Sequence, residues 1–167
     1  MSAERAGLDL VLVRHADAGD PEAWAGPDAV RPLSGKGRKQ ASRLARFLRE
    51  IRLEPDAIIT SPKIRAAETA AAIGDAVGVE VRVDERLGEG FGLPELDAIV
   101  RDGSFRRPIL VGHDPDFSEL VELLVGASIP LRKGALARIE VAGDVIAGAG
   151  AGVLRWLIPP DALVRRV

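Results

Sequence analysis

The sequence predicts an α/β fold, a three-layer α/β/α sandwich with a mostly parallel central sheet. Short apolar runs alternate along the chain with longer amphipathic stretches, which is the pattern of strands joined by crossover helices. The first apolar run, LDLVLV at 8–13, is continuous, as expected for a strand buried on both faces of a parallel sheet. The length of 167 residues predicts one domain over 1–167, since single domains usually have about 100–200 residues.

Each element of this fold has a local signal. The predicted strands are 8–13, 56–60, 79–83 and 108–112, followed by two short strands between 136 and 157. The predicted helices run from an N-cap at Ser34 to about Arg52, from the Ser61-Pro62 pair to near Gly78, over 96–100 and over 117–125. Glycine and proline mark 16–31 and 86–94 as loops, and 147–152 is predicted to be a loose turn.

Composition excludes several classes of function. A formal net charge of −2 and an aromatic content of 4% do not favour a nucleic-acid partner. The chain has no cysteine, and hence no disulfide or thiolate metal site. It lacks the run of about 18 apolar residues that a membrane span needs, and the polar segment 1–7 does not resemble a signal peptide. We therefore expect a cytoplasmic protein without a membrane partner.

Four polar side chains are expected at one edge of the sheet. Arg14 and His15 follow the first strand directly, and His113 follows the fourth. Arg65 falls in the first turn of the helix after the second strand. Because ligands bind at the carboxyl ends of parallel strands, these groups should meet in one site. Paired arginine donors match phosphate oxygens, and a histidine held among them can attack phosphorus to form a covalent intermediate.

Each of these residues alone has an ordinary structural explanation. A histidine at a strand end is more often a surface or capping residue than a catalyst. Arg65 is one of 23 basic residues, and the basic side chains of the first helix fit a solvated face. Ser61 is explained as a helix cap. A catalytic site is favoured because the two histidines of the chain both stand at the end of a predicted buried strand.

Four segments together resemble, in family order, the motifs of the histidine phosphatase (phosphoglycerate mutase-like) superfamily. They are LVLVRHADAGD, RPLSGKGRKQA, SPKIRAAETA and VGHDPDFSEL, and they fall between residues 8 and 123. The resemblance implies that His15 is a nucleophile that becomes phosphohistidine. It also implies that Arg14, Arg65 and His113 bind the phosphoryl group and stabilise its transition-state charge. The fold would be a minimal phosphoglycerate mutase-like core, and the reaction would need no metal or other cofactor.

The sequence departs from the family pattern at Ala16, where glycine is usual. Its methyl group should be tolerated if the backbone there has negative φ.

The sequence leaves open which residue, if any, donates a proton to the leaving group. Glu89, in Leu87-Gly88-Glu89, matches the context of the family's catalytic carboxylate, but it could equally be an ordinary loop residue. Asp17 and Asp114 lie next to the histidines in sequence, and either could orient an imidazole instead.

The short connections point to one branch of the superfamily. Segments 15–65 and 89–113 leave no room for the helical insertions of mutases and acid phosphatases, so the chain resembles the SixA-type phosphohistidine phosphatases. A short loop at 88–93 predicts an open pocket, which suits phosphohistidine on a protein as substrate. Two alternatives remain: a phosphatase for small-molecule or nucleotide phosphomonoesters, and a weakly active module that binds phosphorylated ligands.

Overall fold

A six-stranded sheet forms the centre of the molecule. The computed structural model describes residues 7–143, 145 and 150–164. The strands are β1 (Leu8–Arg14), β2 (Ala57–Thr60), β3 (Val81–Val83), β4 (Pro108–Gly112), β5 (Leu136–Val141) and β6 (Gly152–Ile158), in the order β3-β2-β4-β1-β5-β6. The first four pair in parallel, and β5 pairs antiparallel with both β1 and β6. The prediction of a mostly parallel sheet is confirmed.

Helices cover both faces of this sheet. They are α1 (Gly35–Glu50), α2 (Ile64–Val77), α3 (Leu93–Gly103) and α4 (Asp116–Val125). Along β1 the side chains alternate: Leu10 and Leu12 pack in the core beneath α3 and α4, whereas Val11 and Val13 pack beneath α1 and α2. A strand buried on both faces explains the continuous apolar run, and the three-layer prediction is confirmed.

Some element boundaries differ from those predicted. Helix α2 begins at Ile64 rather than at Pro62, because the hydroxyl of Ser61 accepts a hydrogen bond from the Lys63 N–H before the helix starts. Helix α3 is longer than 96–100, since Glu95 accepts a hydrogen bond from the Gly92 N–H at its start. The predicted loop 16–31 contains two short 3-10 turns. Of the turn predicted at 147–152, residues 147–149 lie outside the described residues.

The sheet order brings three chain segments to one edge. Strand β4 lies between β1 and β2, so the residues that follow these strands leave the sheet side by side. The His15 N–H donates to the Gly112 carbonyl at 3.0 Å, and the Ser61 N–H donates to the Val111 carbonyl at 3.0 Å. These bonds continue the strand pairing to the residues that carry the candidate chemistry.

The start of α1 packs closely on the segment that follows His15. Ser34 caps the helix by accepting from the Gly37 N–H, and its own N–H donates to the Asp17 carbonyl. A Cβ atom added at Gly37 would lie 1.8 Å from that carbonyl oxygen. Only glycine therefore allows this approach.

We expect Gly37→Ala to lower the free energy of unfolding by about 1–3 kcal/mol or more, because the added methyl group overpacks the contact. Gly35→Ala is the matched control in the same helix turn. Its Cβ would meet only the Arg38 Nη2 atom, at 3.8 Å, so its stability should be at or slightly above that of the parent. Urea unfolding measures both, and equal stability of the two variants would contradict the close packing.

Candidate active site

A cleft of about 410 Å³ opens at the carboxyl edge of the sheet. All the residues predicted for phosphoryl transfer line it: Arg14, His15, Arg65, Glu89 and His113. The two imidazole rings have their centroids 5.2 Å apart. The structure thus brings together Arg14, His15, Arg65 and His113, as the sequence predicted, and places Glu89 beside them, while the chemical roles of all five stay predictions.

His15 is held in one neutral form. Its side chain is buried, and Nδ1 lies 2.7 Å from the carbonyl oxygen of Ala16. Because a carbonyl only accepts, Nδ1 carries the proton and Nε2 keeps its lone pair. Burial lowers the pKa of His15 to about 4, the charges of Arg65 and Arg14 act in the same direction, and the bond to Ala16 opposes them. At neutral pH the ring is therefore uncharged, with the lone pair of Nε2 free.

Ala16 fits its position without strain. Within the described part of the chain, the non-glycine residues with positive φ are Arg52 and Ser104, so the condition for tolerating a methyl group at Ala16 is met. That methyl group is fully buried beside Leu33 and Ala41. The departure from the family's glycine is thus accommodated by packing.

His113 faces the same cleft with a different partner. Its Nε2 lies 2.7 Å from the hydroxyl oxygen of Ser61, which is completely buried. Burial lowers the pKa of His113 to about 3, and the neighbouring His15 and the cation of Lys63 add to the effect. This ring is also neutral at physiological pH.

Backbone carbonyls hold the two arginines. Arg14 Nη1 donates to the Leu131 carbonyl at 2.8 Å. Arg65 Nη1 donates to the Asp28 carbonyl at 2.9 Å, and Nη2 donates to the Asp28 carboxylate at 2.9 Å. These bonds fix the guanidinium planes while leaving other N–H groups available.

Among the described residues, three buried side-chain nitrogen or oxygen atoms have no hydrogen-bond partner: Arg14 Nε, Arg65 Nε and His113 Nδ1. Unpaired buried polar atoms are rare, and each costs about 1–3 kcal/mol. All three belong to residues that line this one cleft. A phosphoryl group offers several acceptor oxygens and negative charge, which matches this set of groups.

Sequence reasoning missed several residues of the cleft. Arg31 is 6% exposed, lines the cleft, and donates from Nη1 to the Ala18 carbonyl at 2.7 Å. The Asp28 carboxylate contacts both Arg31 Nε at 3.2 Å and Arg65 Nη2 at 2.9 Å. Burial acts to raise the pKa of the Asp28 carboxyl group, but the hydrogen bonds from Arg65 and Arg31 outweigh this effect and lower that pKa. Arg31 stands within the RPLS motif and could have been found there, whereas Asp28 carries no sequence signal.

Lysines add positive charge at the rim. Lys133 lines the cleft, with its Nζ 3.7 Å from Asp17. Lys63 also lines the cleft, and its Nζ is 3.2 Å from Glu89. The Glu89 side chain is 87% exposed, so this carboxylate stands at the mouth of the cleft rather than in its interior.

The expectation that Asp17 or Asp114 orients an imidazole is wrong. The Asp17 carboxylate accepts from the Ser34 hydroxyl at 2.6 Å, and this bond is the main cause that lowers its pKa. The Asp114 carboxylate accepts from the backbone N–H and the hydroxyl of Ser118. The Ala16 carbonyl and the Ser61 hydroxyl contact the two rings instead.

The described residues hold no group of three or more His, Cys, Asp or Glu side chains placed to bind a metal ion. None of their helices combines the length and the apolar character needed to cross a membrane.

The sequence and the fold of this chain are similar to those of known proteins. Residues 10–97 match the model of the histidine phosphatase superfamily, branch 1. An uncharacterized protein of Picosynechococcus is 31% identical over 121 residues, which cover 70% of this chain and 73% of that protein. The phosphohistidine phosphatase SixA of Escherichia coli is 26% identical over 160 residues, which cover 92% of this chain and 94% of that protein.

Solved structures show the same fold. The structure of the protein histidine phosphatase SixA complexed with tungstate superposes with a TM-score of 0.79 at 24% identity, over 94% of this chain and all of that one. A mycobacterial glucosyl-3-phosphoglycerate phosphatase gives a TM-score of 0.73 at 18% identity, over 91% of this chain and 99% of that one. With the family match over more than half of its length, the chain belongs to branch 1 of the histidine phosphatase superfamily and is similar to its SixA-type members.

Proposed function

We propose that this protein is a metal-independent phosphatase that removes the phosphoryl group from phosphohistidine on a protein. Membership of the superfamily supports phosphatase chemistry in general. The observation that carries the proposal is the set of three buried nitrogen atoms without hydrogen-bond partners, on Arg14, Arg65 and His113, in the cleft that also holds the neutral His15. One phosphoryl group bound in this cleft would offer these nitrogens acceptor oxygens and lie against the proposed nucleophile.

The first half-reaction transfers the phosphoryl group to His15. The Nε2 lone pair attacks phosphorus, a P–N bond forms, and the bond to the substrate's leaving atom breaks with its electron pair. Arg14, Arg65 and His113 donate hydrogen bonds to the phosphoryl oxygens and stabilise the charge in the transition state. When the substrate is phosphohistidine with a proton on its other ring nitrogen, the leaving group is a neutral imidazole, which departs more easily than an alkoxide.

The second half-reaction returns the enzyme to its starting state. A water oxygen attacks phosphorus, the bond to Nε2 breaks, and His15 regains its lone pair as phosphate forms. A proton leaves the attacking water during this step, and Glu89 at the mouth of the cleft is the proposed base. In the first half-reaction the same group would protonate a poor leaving group.

The shape of the cleft supports a protein substrate. Its wall at Gly88, Glu89 and Gly90 is a short loop, and the exposed Glu89 leaves the entrance open. A phosphorylated side chain on a protein surface must reach His15 without being enclosed. The similarity to phosphohistidine phosphatase SixA supports the same substrate class. The cytoplasmic location stays a prediction, which cell fractionation tests.

A comparison of substrates tests this function. We expect a higher kcat/KM for a phosphohistidine-containing protein than for p-nitrophenyl phosphate or a nucleoside monophosphate, with activity unchanged by EDTA. His15→Ala should abolish turnover of all three. A preference for the small phosphomonoesters would favour the small-molecule alternative, and binding of phosphorylated ligands without turnover would favour the binding module. Loss of activity in EDTA would contradict metal independence.

The depressed histidine pKa values predict an unusual pH profile. Protonation of His15 removes its lone pair, so activity should disappear as pH falls through about 4, not through the ordinary value of 6.5. Because p-nitrophenyl phosphate also titrates in acid, NMR titration of the two histidines is the direct measurement. His113→Asn leaves only the His15 signal. A His15 pKa near 6.5 would contradict the burial of the ring.

Glu89 is tested with substrates that differ in leaving group. We expect Glu89→Gln to lower kcat for an alkyl phosphate by about 10²–10⁴-fold, the usual contribution of general acid–base catalysis. The effect on phosphohistidine should be smaller, since its leaving group depends less on an acid. Glu85→Gln removes an exposed carboxylate four positions earlier that does not line the cleft, and it is the matched control. Equal activity of both variants on every substrate would exclude the role.

A further inference from the structure

Ser61 holds a position that phosphoryl transfer by the surrounding residues does not explain. It follows β2 directly, is fully buried, and joins the sheet through its N–H. Its hydroxyl oxygen accepts a hydrogen bond from the Lys63 N–H at 3.2 Å and lies 2.7 Å from His113 Nε2. The hydroxyl is therefore shared between the start of α2 and the second histidine of the cleft.

The proton of this hydroxyl decides the form of His113. A serine hydroxyl has one proton to donate and two lone pairs. If Ser61 accepted from an Nε2–H group, its own proton would have no acceptor among the described residues, in a fully buried place. If Ser61 donates to Nε2, the proton is paired and the imidazole carries its hydrogen on Nδ1. Because the buried hydroxyl proton needs an acceptor, the hydrogen bonds of Ser61 favour the Nδ1–H form of the His113 ring.

The other ring nitrogen leads to the same assignment. His113 Nδ1 is buried, has no partner, and belongs to a residue that lines the cleft. A bare Nδ1 would present a lone pair to phosphoryl oxygens and repel them, whereas Nδ1–H would donate to them. The hydrogen bond to Ser61 and the proposed binding of phosphoryl oxygens therefore require the same tautomer.

We propose that Ser61 is a positioning residue that fixes His113 as the neutral Nδ1–H tautomer, so that an N–H group is ready to bind the phosphoryl oxygen. The assignment of the phosphoryl group rests on the proposed function, while the tautomer itself is a property of the free protein. His15 has the same Nδ1–H form for a different reason, since its Nδ1 donates to the Ala16 carbonyl. The two rings thus differ in what they present: His15 keeps a free Nε2 lone pair, and His113 keeps a free Nδ1–H donor.

Nitrogen NMR of the histidine rings tests this directly. The chain has only two histidines, so a ¹⁵N-histidine-labelled protein without a histidine tag gives two ring systems, which His15→Asn assigns. We expect the His113 Nδ1 shift of the free protein to be that of a protonated nitrogen and the Nε2 shift that of a bare one. The opposite pattern would overturn the proposal, whether or not the protein hydrolyses any substrate.

Variants of Ser61 connect the tautomer with activity. Ser61→Ala should give a mixture of tautomers, and Ser61→Thr, which keeps the hydroxyl, should restore the Nδ1–H form. Only the Nδ1–H tautomer of His113 binds the phosphoryl group. The value of kcat/KM for p-nitrophenyl phosphate should therefore fall by the same factor as the population of that tautomer. The loss should appear in KM more than in kcat, since bound substrate draws the ring back to that form.

Thr60→Val is the matched control. Thr60 is also fully buried on β2, but its hydroxyl donates to the Ser61 carbonyl and does not touch His113. This variant should lose stability without a change of tautomer. A Ser61→Ala protein that keeps the Nδ1–H form would overturn the proposal. A protein with the expected tautomers but no phosphatase activity would contradict the proposed function instead.

Discussion

The insertion of β4 between β1 and β2 is the constraint from which the geometry of the cleft follows. It places the residue after each of these three strands at the same edge and lets the strand hydrogen bonds continue to His15 and Ser61. The imidazole rings of His15 and His113 are consequently held 5.2 Å apart by the sheet itself. Loops supply only the groups around them, such as Asp28, which orients Arg65.

This geometry creates an electrostatic conflict that an anionic ligand would resolve. Both rings are buried beside cations, so burial and positive charge hold the pKa values of His15 and His113 far below the ordinary range. Two neutral rings avoid adding charge to a cleft that already contains Arg14 and Arg65. The same burial leaves nitrogen atoms of Arg14, Arg65 and His113 without hydrogen-bond partners among the described residues. An anionic group with several oxygens relieves both problems, which is why the arrangement suits a transferring phosphoryl group.

Much of the fold and of the cleft could be predicted from the sequence, because the patterns that indicate the strands and their terminal residues are local. Continuous apolar runs that end in Arg14-His15 and His113 indicate both the buried strands and the edge where their side chains meet. The role of Ser61 could not be predicted in the same way. A Ser-Pro pair before a helix is explained by capping alone, and its bond to a ring 52 positions away exists only after folding. For Asp28, too, contact with Arg65 depends on how the loop 16–31 folds back.

The most direct test of the account is rapid mixing with substrate, a quench without acid, and mass spectrometry of the peptides. The account predicts a burst of phosphoryl transfer to His15, with no covalent phosphate in His15→Ala. The acid-labile adduct should be absent from His113, which donates a hydrogen bond and has no free lone pair toward the cleft. Phosphate found on another residue, or turnover without any covalent adduct under burst conditions, would contradict it.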